Sequence, residues 1–239
     1  MLPFYGFDMT YLILVLPCLI LSLWASGNVN STFKKYSKQH SQRRITGAQA
    51  AQRVLSANGV SGVRIERVSG NLTDHYDPKS NVIRLSDGVY DSTSTAAIGV
   101  ACHEAGHAVQ YAQDYAPIKL RAAIVPITNF GSRLAMPLIL LGIVLTAFAD
   151  LSYTLVYVGI ACFGLSVVFQ LVTLPVEFNA SHRALQAIET GGLLTQEEQK
   201  GARKTLTAAA LTYVAATAVA LAQLLRLLIL FGGNRRRND

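Results

Sequence analysis

Charged side chains are scarce in this chain: Asp, Glu, Lys and Arg make up 15% of its 239 residues, whereas 51% are hydrophobic. The hydrophobic residues are gathered into long runs and do not recur at the spacing of an amphipathic helix. Runs of about 20 apolar residues are long enough to cross a lipid bilayer. The composition therefore argues against an ordinary soluble protein and predicts an integral membrane protein.

Cysteine is also rare, and no position of a cysteine suggests chemistry. Cys18 and Cys162 lie in apolar runs and Cys102 lies in an alanine-rich segment, so that they offer no disulfide framework. The chain has no internal repeat, no glycine-rich phosphate loop and no paired carboxylates of the kind used in sugar hydrolysis. The net charge of +7 is concentrated near the ends of the apolar runs, where it suits lipid headgroups. We therefore expect contact with the lipid bilayer and no nucleic-acid partner.

The first apolar run extends from Met9 to about Ala25. No Lys or Arg precedes it, as would be usual in a signal peptide, so we interpret it as an uncleaved anchor, with a cleaved signal peptide as the alternative. The basic stretch that follows, from Lys34 to Arg44, is expected on the cytoplasmic side. Two further runs, from about Leu134 to Ala149 and from Leu155 to Leu174, predict a helical hairpin with a short outer loop at residues 150–154.

A fourth run, from Leu206 to Phe231, has the length of another span. If it crosses, Arg235, Arg236 and Arg237 lie outside, against the tendency of basic residues to stay in the cytoplasm. Packing of this run against the cytoplasmic part without crossing would remove the conflict, and Arg226 favours that alternative.

Residues 45 to about 121 form the only sizeable polar region. Ile45 to Ser56 is typical of a helix, and Gly62 to Val68 and Val82 to Leu85 alternate as strands do. The segment between these strands, Asn71 to Pro78, is rich in turn-forming residues. This region predicts a small helix-plus-sheet unit.

The chemistry of the chain is concentrated in the segment His103-Glu104-Ala105-Gly106-His107. Positions four apart share a helix face, so both histidines can bind one zinc ion, and Glu104 can take the proton of a water at the open coordination position. The preceding segment, Asp91 to Ser94, offers N-cap residues for a helix that continues to about Gln113. The alternative is an ordinary helix that carries two core or surface histidines.

A third zinc ligand is expected directly after the third apolar run. There Glu177 follows Pro175, and a glutamate from a later helix completes the two-histidine set in many zinc hydrolases. A glutamate just after a first-turn proline is also favoured by the helix dipole alone. His182 and His75 are the competing candidates.

Three segments together resemble the YugP-type membrane zinc metallopeptidases of bacteria: Val82 to Ser86, Val100 to Gln110 and Pro175 to Ser181. The resemblance covers most of the chain and implies a zinc peptidase of the plasma membrane, with His103 and His107 as ligands and Glu104 as the catalytic acid. Related membrane peptidases of the HtpX and CAAX type have an aspartate four residues after the liganding glutamate. Ser181 stands there in this chain, and it can supply a hydrogen bond but no charge.

The function expected from these residues is a membrane-anchored zinc metalloendopeptidase that acts on peptides or membrane proteins, with Glu104 as general base. Arg183 is a further candidate for stabilising the oxyanion. A zinc-bound membrane scaffold or adaptor without turnover is the alternative, although a structural site needs no carboxylate between its ligands. An intramembrane protease is disfavoured, because the segment from Thr95 to Gln113 contains several polar residues and has polar flanks. The sequence leaves a protein partner open.

The expected fold class is mostly α: an integral, multi-pass plasma-membrane protein with a small α+β zincin-like catalytic unit on the cytoplasmic side. We divide the chain into a transmembrane anchor (1–28), the cytoplasmic catalytic unit with the motif helix (29–133), a transmembrane hairpin (134–174), a helix and loop with the third ligand (175–204), and a C-terminal apolar helix, an expected fourth span, with a basic tail (205–239).

Overall fold

The computed structural model describes residues 9–145 and 149–232, most of them helical. The helices are α1 (Leu16–Tyr36, entered through a π-helical turn at Tyr11–Val15), α2 (Gly47–Ala57), α3 (Asp87–Tyr90), α4 (Thr95–Ala112), α5 (Ala116–Val144), α6 (Ala149–Thr190) and α7 (Gln196–Gly232). The strands are β1 (Arg64–Val68), β2 (His75–Asp77) and β3 (Val82–Ser86). The mostly helical fold class and the small sheet agree with the sequence prediction.

The chain divides into two compact units. The mixed unit comprises Ala25–Lys119 and Leu174–Thr212, and the apolar unit comprises Met1–Trp24, Leu120–Thr173 and Tyr213–Asp239. The division of the chain made from the sequence remains a prediction, as does the side of the membrane assigned to each part. The basic tail at Arg235, Arg236 and Arg237 lies outside the described residues.

The sheet of the mixed unit has the order β1-β3-β2. β1 runs parallel to β3, with Arg64 opposite Val82, and β2 runs antiparallel to it, with Tyr76 opposite Ile83. The central strand contains three fully buried residues, Val82, Ile83 and Leu85. Their apolar side chains explain why the sequence alone predicts this strand. β2 was not predicted: its residues lie in the turn-rich segment, and it becomes a strand by pairing with β3.

Helix α4 lies at the centre of the mixed unit. Its N-cap is Ser94, whose side chain accepts a hydrogen bond from the backbone N–H of Ala97. Small residues such as Gly99 and Gly106 let neighbouring helices approach: an added Cβ would lie 3.2 Å from Ala202 at the first position and 2.9 Å from the carbonyl oxygen of Ala180 at the second. The hydrophobic core of this unit therefore surrounds α4 on most sides; its buried members include Leu55, Ile83, Leu85, Ile98, Val109 and Ile188.

Among the described residues, four helices are long and apolar enough to cross a membrane: Tyr11–Tyr36, Ala116–Val144, Asp150–Thr190 and Gln196–Gly232. Within the apolar unit, Ile139, Val156, Ile160 and Leu227 form a small buried cluster, and many other large apolar side chains are exposed, as is typical of surfaces that face lipid. The predicted outer loop at residues 150–154 is helical, because α6 already begins at Ala149. An acidic residue, Asp150, suits the first turn of a helix, and the Ser152 hydroxyl donates to the Gly142 carbonyl.

Candidate metal centre

Three side chains of the mixed unit converge at one point between α4 and α6. The Nε2 atoms of His103 and His107 lie 3.3 Å and 3.7 Å from Oε2 of Glu177. The potential ligand atoms of the three residues all lie within 4.8 Å of one another. Glu177 is 2% exposed and His107 is 8% exposed, so the cluster is shielded from bulk water. Two imidazole nitrogens and one carboxylate oxygen are the donor set of many catalytic zinc sites.

The local sequence explains how α4 and α6 present these groups. His103 and His107 are one helical turn apart and therefore share a face of α4. Glu177 lies well inside α6, which continues unbroken through Pro175. Pro175 is therefore not a first-turn proline, and a helix dipole does not account for the position of Glu177. Its burial against the two histidines does.

Glu104 follows His103 on α4 and is 8% exposed. Within the described residues, no hydrogen bond or ion pair to its carboxylate occurs. Its negative charge acts on His107, one turn away. Glu104 is thus a shielded carboxylate beside the cluster, and its oxygens can accept a proton from a water molecule.

The buried cluster contains a carboxylate whose negative charge needs a compensating positive charge. A buried carboxylate that faces imidazole rings is costly unless a proton or a metal ion compensates it. Burial by itself lowers the pKa of His107, but the nearby carboxylate of Glu177 and the negative charge of Glu104 outweigh burial, so that this pKa is raised. A divalent cation bound by the three side chains would supply the missing charge, and the residues therefore fit zinc.

The remaining nitrogen of each histidine also has a partner. Nδ1 of His103 lies 3.1 Å from the hydroxyl of Ser181, the residue that the sequence predicts as a source of a hydrogen bond. Nδ1 of His107 lies 2.9 Å from Oε1 of Gln110, which is fully buried. Sequence reasoning missed Gln110. Its polar side chain three residues after His107, within an otherwise apolar stretch of α4, was the available signal.

The competing candidates lie elsewhere. His75 and His182 are exposed and do not belong to the cluster of metal-binding groups. Nδ1 of His75 is bonded to the carbonyl oxygen of Thr73. Arg183 donates from Nε to Asn179 and from a terminal nitrogen to Gln113.

These contacts of Arg183 do not support an oxyanion role. Arg183 also lines a cavity of about 220 Å³ whose walls include Arg53, Val109 and Leu193. None of His103, Glu104, His107 and Glu177 contributes to those walls. The arginine therefore faces a different space from the candidate zinc ligands.

Comparisons with known proteins show the family to which the chain is similar. Residues 11–232 match the model of a family described as "Putative neutral zinc metallopeptidase". The chain is also 47% identical over 230 residues to the "Putative membrane protease YugP" of Bacillus subtilis (strain 168), an alignment that covers 96% of this chain and 100% of the relative. No solved structure matches the chain. The family match over most of the chain, together with this similarity, shows that the protein belongs to the family described as putative neutral zinc metallopeptidases, as the sequence resemblance indicated.

Proposed function

We propose that this protein is a membrane-anchored zinc endopeptidase whose metal is held by His103, His107 and Glu177. The observation that carries the proposal is the convergence of these three side chains, of which His107 and Glu177 are buried and His103 is partly buried, beside the buried carboxylate of Glu104. Membership of a zinc metallopeptidase family supports the metal and the reaction class. The alternative, a zinc-bound scaffold, gives no reason for a buried carboxylate placed next to the ligand set.

Zinc, when bound, supplies Lewis acidity that lowers the pKa of a water molecule toward about 7 and polarises a carbonyl group. The residues of the chain do the rest. Glu104 accepts the proton of the water as it attacks the peptide carbonyl and then returns that proton to the departing amine. The apolar surroundings of the cluster limit access of bulk water, which strengthens the electrostatic interactions between these groups.

The proposed location is the plasma membrane, with the mixed unit on the cytoplasmic side. The part of the chain that the structure describes has four helices of sufficient length and apolar character, and a relative is named as a membrane protease; both support a membrane protein. The basic stretch between Lys34 and Arg44 favours the cytoplasmic side for the residues around it. Because the enzyme itself is tethered to the bilayer, we expect segments of membrane proteins to be its preferred substrates.

The proposal is tested on the purified full-length protein in detergent, as the wild type and as Glu104→Gln and Glu177→Ala. Zinc content is measured by mass spectrometry, and hydrolysis is followed with one unstructured peptide in a soluble and a lipid-anchored form. Glu104→Gln is expected to keep its zinc and to lose at least about 100-fold in kcat, the contribution of a general base. Glu177→Ala is expected to lose zinc on dialysis, because one of three protein ligands is gone.

Glu189→Gln provides the matched control, since Glu189 is an exposed glutamate on the same helix as Glu177. It should retain both zinc and activity. A wild type that binds zinc but cleaves neither form of the peptide would favour the scaffold, and a wild type without zinc would overturn the metal site. Equal cleavage of the two peptide forms would remove the expected preference for membrane substrates.

A further inference from the structure

The buried amide of Gln110 is held in one orientation, because each of its hydrogen-bond partners on α6 can only accept. Its nitrogen lies 2.9 Å from the carbonyl oxygen of Val176 and 2.9 Å from Oδ1 of Asn179. A carbonyl oxygen can only accept, so the Gln110 nitrogen must face it. Asn179 Oδ1 in turn accepts at 2.7 Å from the Nε–H of Arg183, a group that can only donate. Both ends of this chain of hydrogen bonds therefore impose the same orientation on Gln110.

The consequence reaches His107. With its nitrogen turned toward α6, Gln110 presents Oε1 to Nδ1 of His107 at 2.9 Å, and this oxygen can only accept. His107 must then carry a proton on Nδ1. In its neutral form the ring presents the lone pair of Nε2 to the point where His103 and Glu177 meet, which is the form that a metal ion requires.

We infer that Gln110 is a positioning residue for the metal site: it selects the Nδ1–H tautomer of His107 and fixes the ring. This inference rests on the proposed zinc site. Without Gln110, the ring of His107 would be free to turn, and His107 could carry its proton on Nε2. A small rotation would then bring this N–H within hydrogen-bond distance of Oε2 of Glu177, which lies 3.7 Å from Nε2 while the ring is held. That internal hydrogen bond would occupy both ligand atoms and would compete with zinc.

The identity of the residue follows from its neighbours on α6. A carboxylate at position 110 could also accept from His107, but its second oxygen would face the oxygens of Val176 and Asn179. An amide alone offers one acceptor to His107 and two donors to α6. An uncharged side chain thus takes the place in which other zinc sites use a carboxylate or a backbone carbonyl.

The test compares the wild type, Gln110→Met and Glu198→Gln as full-length proteins in detergent. Methionine keeps the length of the side chain but cannot accept from His107. Zinc affinity of Gln110→Met is expected to fall by about 10- to 100-fold, the range found when such outer contacts of zinc ligands are removed. At saturating cobalt, its visible absorption band should also differ from that of the wild type, because the ring of His107 is free to turn.

Glu198→Gln is the control for lost stability. Glu198 is a buried carboxylate at the start of α7 that accepts from the backbone of Gln42 and Thr195, and it is not one of the metal-binding groups. Its zinc affinity and cobalt spectrum should equal those of the wild type even if it unfolds at a lower temperature. Equal losses of affinity in both variants would reduce the role of Gln110 to general stability and overturn the inference.

If Gln110→Met does not fold, Asn179→Ala gives a second measurement. It removes one of the two acceptors of the Gln110 amide and should weaken zinc binding in the same direction by several-fold. If the wild type binds zinc and the variants show the same zinc affinity and the same cobalt spectrum, the role of Gln110 is overturned but the proposed function stands. A wild type that binds no zinc would instead overturn the proposed function and this inference with it.

Discussion

Asp74 is a carboxylate whose charge is a cost to the fold. Its two oxygens accept from the backbone N–H of Ser86 at 2.7 Å and from the Ser86 hydroxyl at 2.9 Å. Burial nevertheless raises the pKa of Asp74 above its ordinary value, because desolvation outweighs these hydrogen bonds. A raised pKa in the folded state means that the stability from this group is fully present at a pH below about 3.8 and is lost as the pH rises through the folded-state value.

We therefore expect Asp74→Asn to be neutral or slightly stabilising at pH 7. Asparagine can accept from the Ser86 N–H and donate to the Ser86 hydroxyl, so both contacts survive without the buried charge. The melting temperature, followed by circular dichroism, should rise by a few degrees at most, and the difference should vanish below about pH 3.8. A lower melting temperature for Asp74→Asn at pH 7 would mean that the charge itself is needed, for example by His75.

At the same scale, the candidate site shows which ligands a sequence can indicate. The spacing of His103 and His107 encodes a shared helix face, so a pair of ligands could be predicted from the chain alone. Glu177 was predicted from its place after the third apolar run. Gln110 and Asn179 could not be paired in this way, because their contact depends on how closely α4 approaches α6.

At the scale of elements, the distance between α4 and α6 depends on Gly106. A Cβ at this position would lie 2.9 Å from the carbonyl oxygen and 3.4 Å from the Cα of Ala180, which are backbone atoms that cannot turn away. We expect Gly106→Ala to lower the free energy of unfolding by about 1–3 kcal/mol, the usual cost of overpacking. Because α6 carries Glu177, its displacement should also weaken zinc binding.

Gly88→Ala is the comparison for this prediction, since an added Cβ at Gly88 would meet nothing within 4 Å. Its helix-favouring methyl group should leave stability unchanged or raise it by about 0.4–1 kcal/mol. Thermal unfolding and zinc titration of the two variants together separate close packing from the general effect of replacing glycine. Unchanged stability and zinc affinity in Gly106→Ala would show that the two helices can separate without cost.

Elements with a strong local signal were predictable, and elements set by distant partners were not. Ser94 and the alanine-rich run after it mark the beginning of α4, and the apolar alternation of Val82 to Leu85 marks β3. β2 has no comparable pattern, because its strand conformation depends on pairing with β3. The unbroken course of α6 through Pro175 was also missed, since a proline inside a helix removes one hydrogen bond and usually indicates a boundary.

At the scale of the whole molecule, the contacts of α7 bear on whether this helix crosses the membrane. From Tyr213 onward its residues belong to the apolar unit, where Leu227 is buried with Ile139 and Val156. The hydroxyl of Tyr157 on α6 donates to the carbonyl oxygen of Phe231 at 3.0 Å. These contacts favour a fourth span over packing of this run against the mixed unit.

We predict that α7 crosses and that the C-terminus lies outside the cell, although the tail carries three arginines. Crossing follows from the length and apolar character of the helix, whereas positive charge biases orientation without excluding a basic tail outside.

Alkaline phosphatase fused after Asp239 should be active in a bacterial host, and green fluorescent protein fused there should be dark. In a variant without native cysteines, a membrane-impermeant maleimide should label Asp150→Cys in intact cells but Glu189→Cys only after permeabilisation. If the green fluorescent protein fusion is fluorescent while the cysteine labelling is as expected, α7 does not cross and lies on the cytoplasmic side. If Glu189→Cys is labelled in intact cells, the whole chain has the opposite orientation.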